Sequence, residues 1–201
     1  MATRINATFE SGLPPDDDHP YRSGAWRPQH QEFDAWNMES VGDLPDDLNG
    51  VYLRNTENPL FEPIKRYHPF DGDAMLHSIS FNNGEVQYSN RFVRTDAFLA
   101  EQDSKSSLWA GITEHPSTTI AKNGWGARTM MKDNASTDVV VHGGKALASF
   151  YQCGELYQLD PVTLTDRGKA SWDGAFPPEG VSAHPKVDEH TGELLFFNYS
   201  T

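Results

Sequence analysis

Tight turns between short alternating segments are the feature of this sequence that most restricts its fold. The clearest case is the stretch "AMLHSISFNNGEVQYSNRFV" (74–93). Met75 and His77 share one face of an extended chain and Leu76 and Ser78 share the other, with the period of two that is typical of a β-strand. The Asn-Asn-Gly that follows accepts the positive φ angles of a tight turn. This stretch is therefore predicted to be a β-hairpin.

Three further hairpins and one strand are predicted on the same grounds. The hairpins are "TDVVVHGGKALASFY" (137–151), "ELYQLDPVTLTDRGKASWD" (155–173) and "HPKVDEHTGELLFFNYS" (184–200), and the strand is "GVYLRN" (50–55). Successive hairpins with short turns, and no convincing amphipathic helix, predict antiparallel sheets. These sheets could stack side by side as in a β-propeller, or form a β-sandwich. Internal repetition in the sequence is too weak to choose between the two architectures.

Two regions do not follow the hairpin pattern. Residues 1–35 are rich in Pro, Asp and Gly without a sustained period, which predicts an extended, partly disordered lead-in. Residues 98–136 contain no clear strand, although their apolar residues include Leu108, Trp109, Ile112, Trp125, Met130 and Met131. Such a connection can be an ordered crossing over a sheet face, or a satellite apolar cluster beneath a surface loop.

Charge and cysteine content exclude several classes of function. The chain has 16 Lys and Arg residues against 29 Asp and Glu residues, a net charge of -13, which disfavours nucleic acid and anionic lipid as partners. A single cysteine, Cys153, excludes an internal disulfide framework and a cysteine-rich zinc site. Neither a signal peptide nor an apolar stretch of membrane-spanning length is apparent, so a soluble, cytoplasmic protein is expected. The mean hydropathy of -0.63 is low for a self-contained domain and suggests an incomplete chain.

Among the histidines, His184 has the most unusual setting. His68 precedes Pro69 beside a predicted Asp-Gly turn, and His142 and His190 lie at predicted hairpin ends, so each has a simple structural explanation. His184 is flanked by Ala183 and Pro185, and the proline disfavours right-handed helical backbone before it. It is either a metal ligand projecting from a strand end or a packed, hydrogen-bonded core residue. The residues alone leave both possibilities open.

Five stretches of the sequence resemble the opening portion of the carotenoid cleavage oxygenase family, which includes apocarotenoid oxygenases, stilbenoid-cleaving dioxygenases and a retinoid isomerase. They are "LPDDLNGVYLRNTENPLFEP", "YHPFDGDAMLHSISFNNGEVQYSNRFVRTD", "VVVHGGKALASF", "LYQLDPVTL" and "SAHPKVDEHTGELLFFNYS". The resemblance runs in order from about residue 40 to the end of the chain. Its "FDGDxM" and "AHPK" blocks together are fairly specific.

The resemblance implies a mainly β fold, a seven-bladed β-propeller of antiparallel sheets. Residues 36–201 would form the N-terminal part of this single propeller domain, about its first two or three blades. Family members hold a non-haem iron(II) ion on the propeller axis with four histidines, and His184 matches the first of these. The other three ligands would lie beyond Thr201, so the chain resembles an N-terminal fragment that is expected to be inactive by itself.

The chemistry implied by the resemblance is dioxygenase cleavage of a conjugated C=C bond, in a carotenoid or apocarotenoid-like substrate, to two carbonyl products. Dioxygen and an apolar polyene are then the expected small-molecule partners, and no protein residue is assigned a catalytic role. Two alternatives stay open. One is a stilbenoid-cleaving dioxygenase of the same family, and the other is a metal-free binding propeller in which His184 only packs.

Departures from the family pattern bear on iron and substrate. Gln152 stands where members carry a glutamate that accepts a hydrogen bond from a ligand histidine; an amide oxygen can still accept, but the negative charge is lost. Tyr151 and Ile112 stand where stilbenoid-cleaving members use a lysine and a tyrosine, which favours the polyene substrate. Apolar residues within 98–131 could contribute a hydrophobic contact with a membrane surface, as in other family members.

Overall fold

Antiparallel strand pairing organises the computed structural model, which describes residues 1–121 and 131–198. The regular elements are β1 (Ala2–Thr8), β2 (Gln31–Trp36), β3 (Gly50–Asn58), β4 (Asp73–Asn82), β5 (Glu85–Phe92), α1 (Asp96–Ser104), β6 (Asp138–His142), β7 (Lys145–Ser149), β8 (Tyr157–Leu159), β9 (Asp166–Lys169), β10 (Lys186–Val187) and β11 (Leu194–Leu195). Single 3-10 turns lie at Gly24–Trp26, Pro69–Asp71, Pro116–Thr118 and Trp172–Gly174.

The strands form three sheets. Their orders are β1-β2-β5-β4-β3, β6-β7-β8-β9 and β10-β11, and every pairing between neighbours is antiparallel. All four predicted hairpins are confirmed, as β4–β5, β6–β7, β8–β9 and β10–β11. Asn83 and Gly84 have φ angles of 50° and 80°, and Gly143 and Gly144 have 54° and 72°, as their tight turns require.

The sheets pack side by side around a shared apolar layer. Its buried residues are Ala74, Leu76, Val93, Ala135, Ala146, Ala148, Tyr157, Leu159 and Leu164. Alanines on β4 and β7 let the five-stranded and four-stranded sheets approach closely, and Leu53 on β3 and Val139 on β6 extend the contact. The mainly β, antiparallel prediction is confirmed. No sheet closes on itself within residues 1–121 and 131–198, and the number of propeller blades stays a prediction.

The first 35 residues contribute two strands to the five-stranded sheet. The sequence predicted a partly disordered lead-in, and this was wrong at β1 and β2, which are ordered strands. The predicted end of the lead-in, residue 35, falls inside β2. Buried Asp34 on β2 explains the order, because its carboxylate lies 2.8 Å from both Arg4 on β1 and Arg91 on β5. Burial alone would raise the pKa of Asp34, but hydrogen bonds, from Arg4 first and also from Asn6 and Arg91, lower it well below its usual range.

Helix α1 lies within the connection for which no helix was predicted. Its first turn is capped by the Thr95 hydroxyl, which accepts a hydrogen bond from the Phe98 amide at 2.9 Å, and it ends at Lys105 in left-handed conformation. Phe98 packs with Met75 and Phe92 of the five-stranded sheet. Helix α1 buries only Ala97, Phe98 and Glu101, too few residues to give the sequence an apolar stripe.

The connection after α1 is packed in its described part. Trp109 and Ala110 are buried, and a parallel bridge joins Ala110 to Met131, as expected for an ordered crossing. Trp125 and Met130, which the sequence analysis included in this apolar set, lie outside the described residues. Within residues 1–121 and 131–198, no helix combines the length and the apolar character that crossing a membrane would require.

Lys132 anchors this connection in the protein interior. Its Nζ lies 2.7 Å from Asp73 Oδ1 at the start of β4 and 2.7 Å from Glu101 Oε2 in α1. The three side chains are only 12%, 4% and 3% exposed. Burial alone would lower the pKa of Lys132, but the two carboxylates raise it above its usual value, so the lysine is charged. This buried ion triad joins the sheet, the helix and the connection.

Candidate metal site around His184

His184 follows a short buried segment that is tied to the four-stranded sheet. Val181 donates its amide hydrogen bond to Gly154 O at 2.9 Å, and the Ser182 hydroxyl donates to Tyr151 O at 3.3 Å. Val181, Ser182 and Ala183 are buried, and His184 is the first exposed residue after them. Its φ of 63° is in the left-handed region, whereas a following proline favours extended backbone. Such a φ is uncommon for a residue other than glycine.

The imidazole of His184 is exposed and faces a carboxylate. Its side chain is 65% accessible, so among the described residues it is not packed as a core histidine. Nδ1 lies 3.3 Å from Oδ2 of Asp138, the first residue of β6. Among the described residues, Nε2 has no hydrogen-bond partner. One ring nitrogen therefore faces a negative charge while the other is available to an external group.

Asp138 was missed by sequence reasoning, and the surrounding structure holds it firmly. The Asn55 side chain on β3 donates hydrogen bonds to the carbonyls of Ala135 at 2.7 Å and Asp138 at 3.1 Å. The neighbouring Thr137 donates its amide to Ser149 O at 3.0 Å and accepts the Tyr151 amide at 3.1 Å. In the sequence, Asp138 is simply an aspartate that precedes three valines. This pattern does not distinguish a site residue from an ordinary strand start.

Gln152 lies near this region without joining it. Its Nε2 donates to the hydroxyl of Tyr151 at 2.9 Å, and no hydrogen bond links it to a histidine among the described residues. The predicted support of a ligand histidine by Gln152 therefore stays a prediction. Ile112 donates its backbone amide to Asp71 Oδ1 at 2.7 Å, a contact that fixes the connection to the turn at Pro69–Asp71.

His68, His142 and His190 have the structural roles predicted for them. His68 accepts the Phe70 amide at 3.2 Å and caps the 3-10 turn. His142 contacts Gly192 O through Nε2 at 2.9 Å, at the end of the β6–β7 hairpin. His190 lies exposed in the β10–β11 turn, where its amide donates to Asp188 at 2.8 Å.

His184 fits one position of a metal site, but the described residues do not complete a site. A neutral imidazole is a suitable ligand for iron, and metal-binding histidines commonly place the second ring nitrogen against a carboxylate. His184 and Asp138 match this arrangement. Within residues 1–121 and 131–198, no group of three or more His, Cys, Asp or Glu side chains could hold a metal ion.

Gly180 fixes the path of the segment that carries His184. Its φ is 81°, and an added Cβ would lie 2.7 Å from the Gly154 carbonyl oxygen and closer still to that of Cys153. We expect Gly180→Ala to lower the free energy of unfolding by about 3 kcal/mol, since backbone strain and overlap add. Urea denaturation measures this loss.

The matched control for this change is Gly192→Ala. Gly192 also has a positive φ, 74°, but an added Cβ would meet open space. Only the strain of the left-handed conformation then applies, about 1 kcal/mol. Equal losses at the two glycines would show that the close approach at Gly180 does not constrain the segment.

The match to the family model described as retinal pigment epithelial membrane protein covers residues 26–201. The chain is 36% identical to isoeugenol monooxygenase of Pseudomonas nitroreducens over 178 residues, which are 89% of the chain and 36% of the relative. Lignostilbene dioxygenase of Pseudomonas brassicacearum superposes with a TM-score of 0.77 at 30% identity, covering 93% of the chain and 38% of that structure.

A third relative has a similar fold and was solved with a metal ion, cobalt. Cobalt-substituted apocarotenoid oxygenase of Synechocystis superposes with a TM-score of 0.65 at 29% identity, covering 82% of the chain and 35% of that structure. The chain thus spans a little over a third of the length of the relatives that it matches. Because the family model matches most of the sequence and the solved relatives share its fold, the chain belongs to the carotenoid cleavage oxygenase family.

Proposed function

We propose that the complete protein is a non-haem iron(II)-dependent dioxygenase that cleaves a conjugated C=C bond, and that His184 is one of its iron ligands. The observation that carries this proposal is the exposed imidazole at the end of a buried segment, with Nδ1 facing Asp138 and no described residue bonded to Nε2. Family membership and the cobalt-substituted relative support metal binding by the complete protein. The remaining ligands would come from residues outside the described part of the chain.

In this reaction dioxygen adds across the double bond and one oxygen atom enters each product, so R–CH=CH–R′ and O₂ give R–CHO and R′–CHO. A ferrous ion, when bound, supplies the activation of dioxygen. The described residues contribute binding and orientation. His184 would donate the Nε2 lone pair, while the buried segment 181–183 and its hydrogen bonds to Tyr151 and Gly154 hold the imidazole in place.

Two substrate classes are candidates. Tyr151 and Ile112, which replace the lysine and tyrosine expected of stilbenoid-cleaving members, support an apocarotenoid-like polyene. An aryl-alkene of the stilbenoid or propenylphenol type is the second candidate. It is favoured by the 36% identity to isoeugenol monooxygenase, and by a TM-score of 0.77 with lignostilbene dioxygenase against 0.65 with apocarotenoid oxygenase.

The test uses the complete protein loaded with iron(II) under air. An apocarotenal and isoeugenol are supplied separately, and oxygen uptake and carbonyl products are followed by electrode and mass spectrometry. We expect one substrate to give two carbonyl products with one O₂ consumed per cleavage, and chelation of iron to abolish both signals. Iron-loaded protein that cleaves neither substrate nor a stilbene would contradict the proposal.

A further inference from the structure

The carboxylate beside His184 belongs to a residue for which the resemblance implies no role. Asp138 Oδ2 lies 3.3 Å from Nδ1 of His184, and the Asp138 side chain is 28% exposed. The negative charge of the carboxylate lies closest to Nδ1, so it favours the imidazole form that carries its proton on that nitrogen. In that form Nε2 holds a free lone pair, which is the form that a metal requires.

The position of Asp138 is set by both large sheets. Asn55 on the five-stranded sheet donates to its carbonyl at 3.1 Å, and β6 pairs Asp138 with Ser149 on β7. The segment that carries His184 is bonded to Gly154 and Tyr151, which follow β7. Because aspartate and histidine are both attached to the β6–β7 hairpin region, their separation does not depend on a flexible loop.

We propose that Asp138 is a positioning residue that holds His184 in the Nδ1-protonated tautomer and so presents Nε2 to the iron. This inference rests on the proposed function for its consequence, but the tautomer itself is a property of the metal-free protein. Residue 152, where the family usually has a carboxylate, is glutamine here. Asp138 therefore supplies to a candidate ligand histidine the negative charge that Gln152 lacks.

The tautomer is measured in the complete, metal-free protein labelled with ¹⁵N-histidine. At pH 8, where imidazoles are largely neutral, two-bond ¹H–¹⁵N correlations identify the protonated ring nitrogen of His184. We expect Nδ1–H in the wild type and a shift to mainly Nε2–H, the form preferred by an isolated histidine, in Asp138→Ala. Asp138→Asn retains an acceptor oxygen and should keep part of the Nδ1–H population.

Metal affinity gives the second readout, with cobalt(II) as the probe. Loss of a supporting carboxylate typically weakens metal binding 10–100-fold, so we expect that increase in Kd for Asp138→Ala and a smaller one for Asp138→Asn. The control is Asp188→Ala, which removes an exposed turn carboxylate on the same His184-containing hairpin and should change neither readout. Thermal unfolding of each variant checks the fold.

The outcomes separate this inference from the proposed function. An Nε2–H tautomer in the wild type, or a tautomer unchanged in both Asp138 variants, would overturn the role of Asp138 even if the protein binds iron. If the tautomer shifts as predicted but the wild-type protein binds no metal, the role of Asp138 in setting the tautomer is upheld. The proposed oxygenase function is then contradicted.

Discussion

Replacing His184 by alanine in the complete protein should reduce bound iron to background and turnover by at least a hundredfold. The reason is that the four-histidine site implied by the resemblance would have no carboxylate to compensate for a lost donor, and three remaining imidazoles would hold ferrous iron weakly. Within the described part of the chain the side chain is 65% exposed, so its removal leaves no buried cavity among these residues. Metal analysis after desalting and an oxygen-uptake assay measure the two effects.

His190→Ala is the matched control for this experiment. His190 lies six residues further along the same β10–β11 hairpin region, is exposed, and contacts Asp188 only through its backbone amide. It should retain wild-type iron and turnover. If His184→Ala also retained stoichiometric iron, His184 would not be a ligand, and the exposed imidazole would need another explanation.

Replacing Lys132 by methionine should lower the free energy of unfolding by about 3–5 kcal/mol, the cost of breaking a buried ion pair by removing one partner. Methionine keeps the apolar stem but leaves the carboxylates of Asp73 and Glu101, only 4% and 3% exposed, without a counter-charge. One or both must then take up a proton for the protein to fold. Urea denaturation at neutral pH measures the loss.

Two further variants locate the cause of this loss. Lys105→Met removes an exposed lysine from its 2.7 Å contact with Glu10 and should have no measurable effect, since surface ion pairs contribute little. Combining Lys132→Met with Asp73→Asn and Glu101→Gln removes the uncompensated charges and should recover part of the stability. A single Lys132→Met variant within 1 kcal/mol of the wild type would show that the triad is not the anchor of the connection.

Local sequence signals predicted the hairpins because the turn chemistry and the alternation of each hairpin lie within about twenty residues. Asn83-Gly84 and Gly143-Gly144 determine their turns without reference to the rest of the chain. Strand β1 was missed because its only large apolar residue is Ile5, which is exposed. It is ordered instead by pairing with β2 and by the ion pair from Arg4 to Asp34, thirty positions away.

Of the two residues of the candidate site, only His184 could be selected from the sequence, because only its signal is local. His184 was selected from its immediate neighbours, Ala183 and Pro185, which limit its backbone and leave it room. Asp138 could not be selected, because its relation to His184 exists only after the β6–β7 hairpin and the segment after Gly180 have come together. Contacts between distant segments carry no mark in a single sequence, whereas turn and capping residues do.

The Asn55 side chain links the five-stranded sheet to the carbonyls of Asp138, on the four-stranded sheet, and of Ala135 just before it, which makes the site sensitive to the geometry between the sheets. A rotation or slip between the two sheets would move the Asp138 backbone relative to its partner on β3, and the carboxylate would shift with it. On the proposed function, mutations that loosen the packing between these sheets would therefore weaken metal loading before they lower the melting temperature.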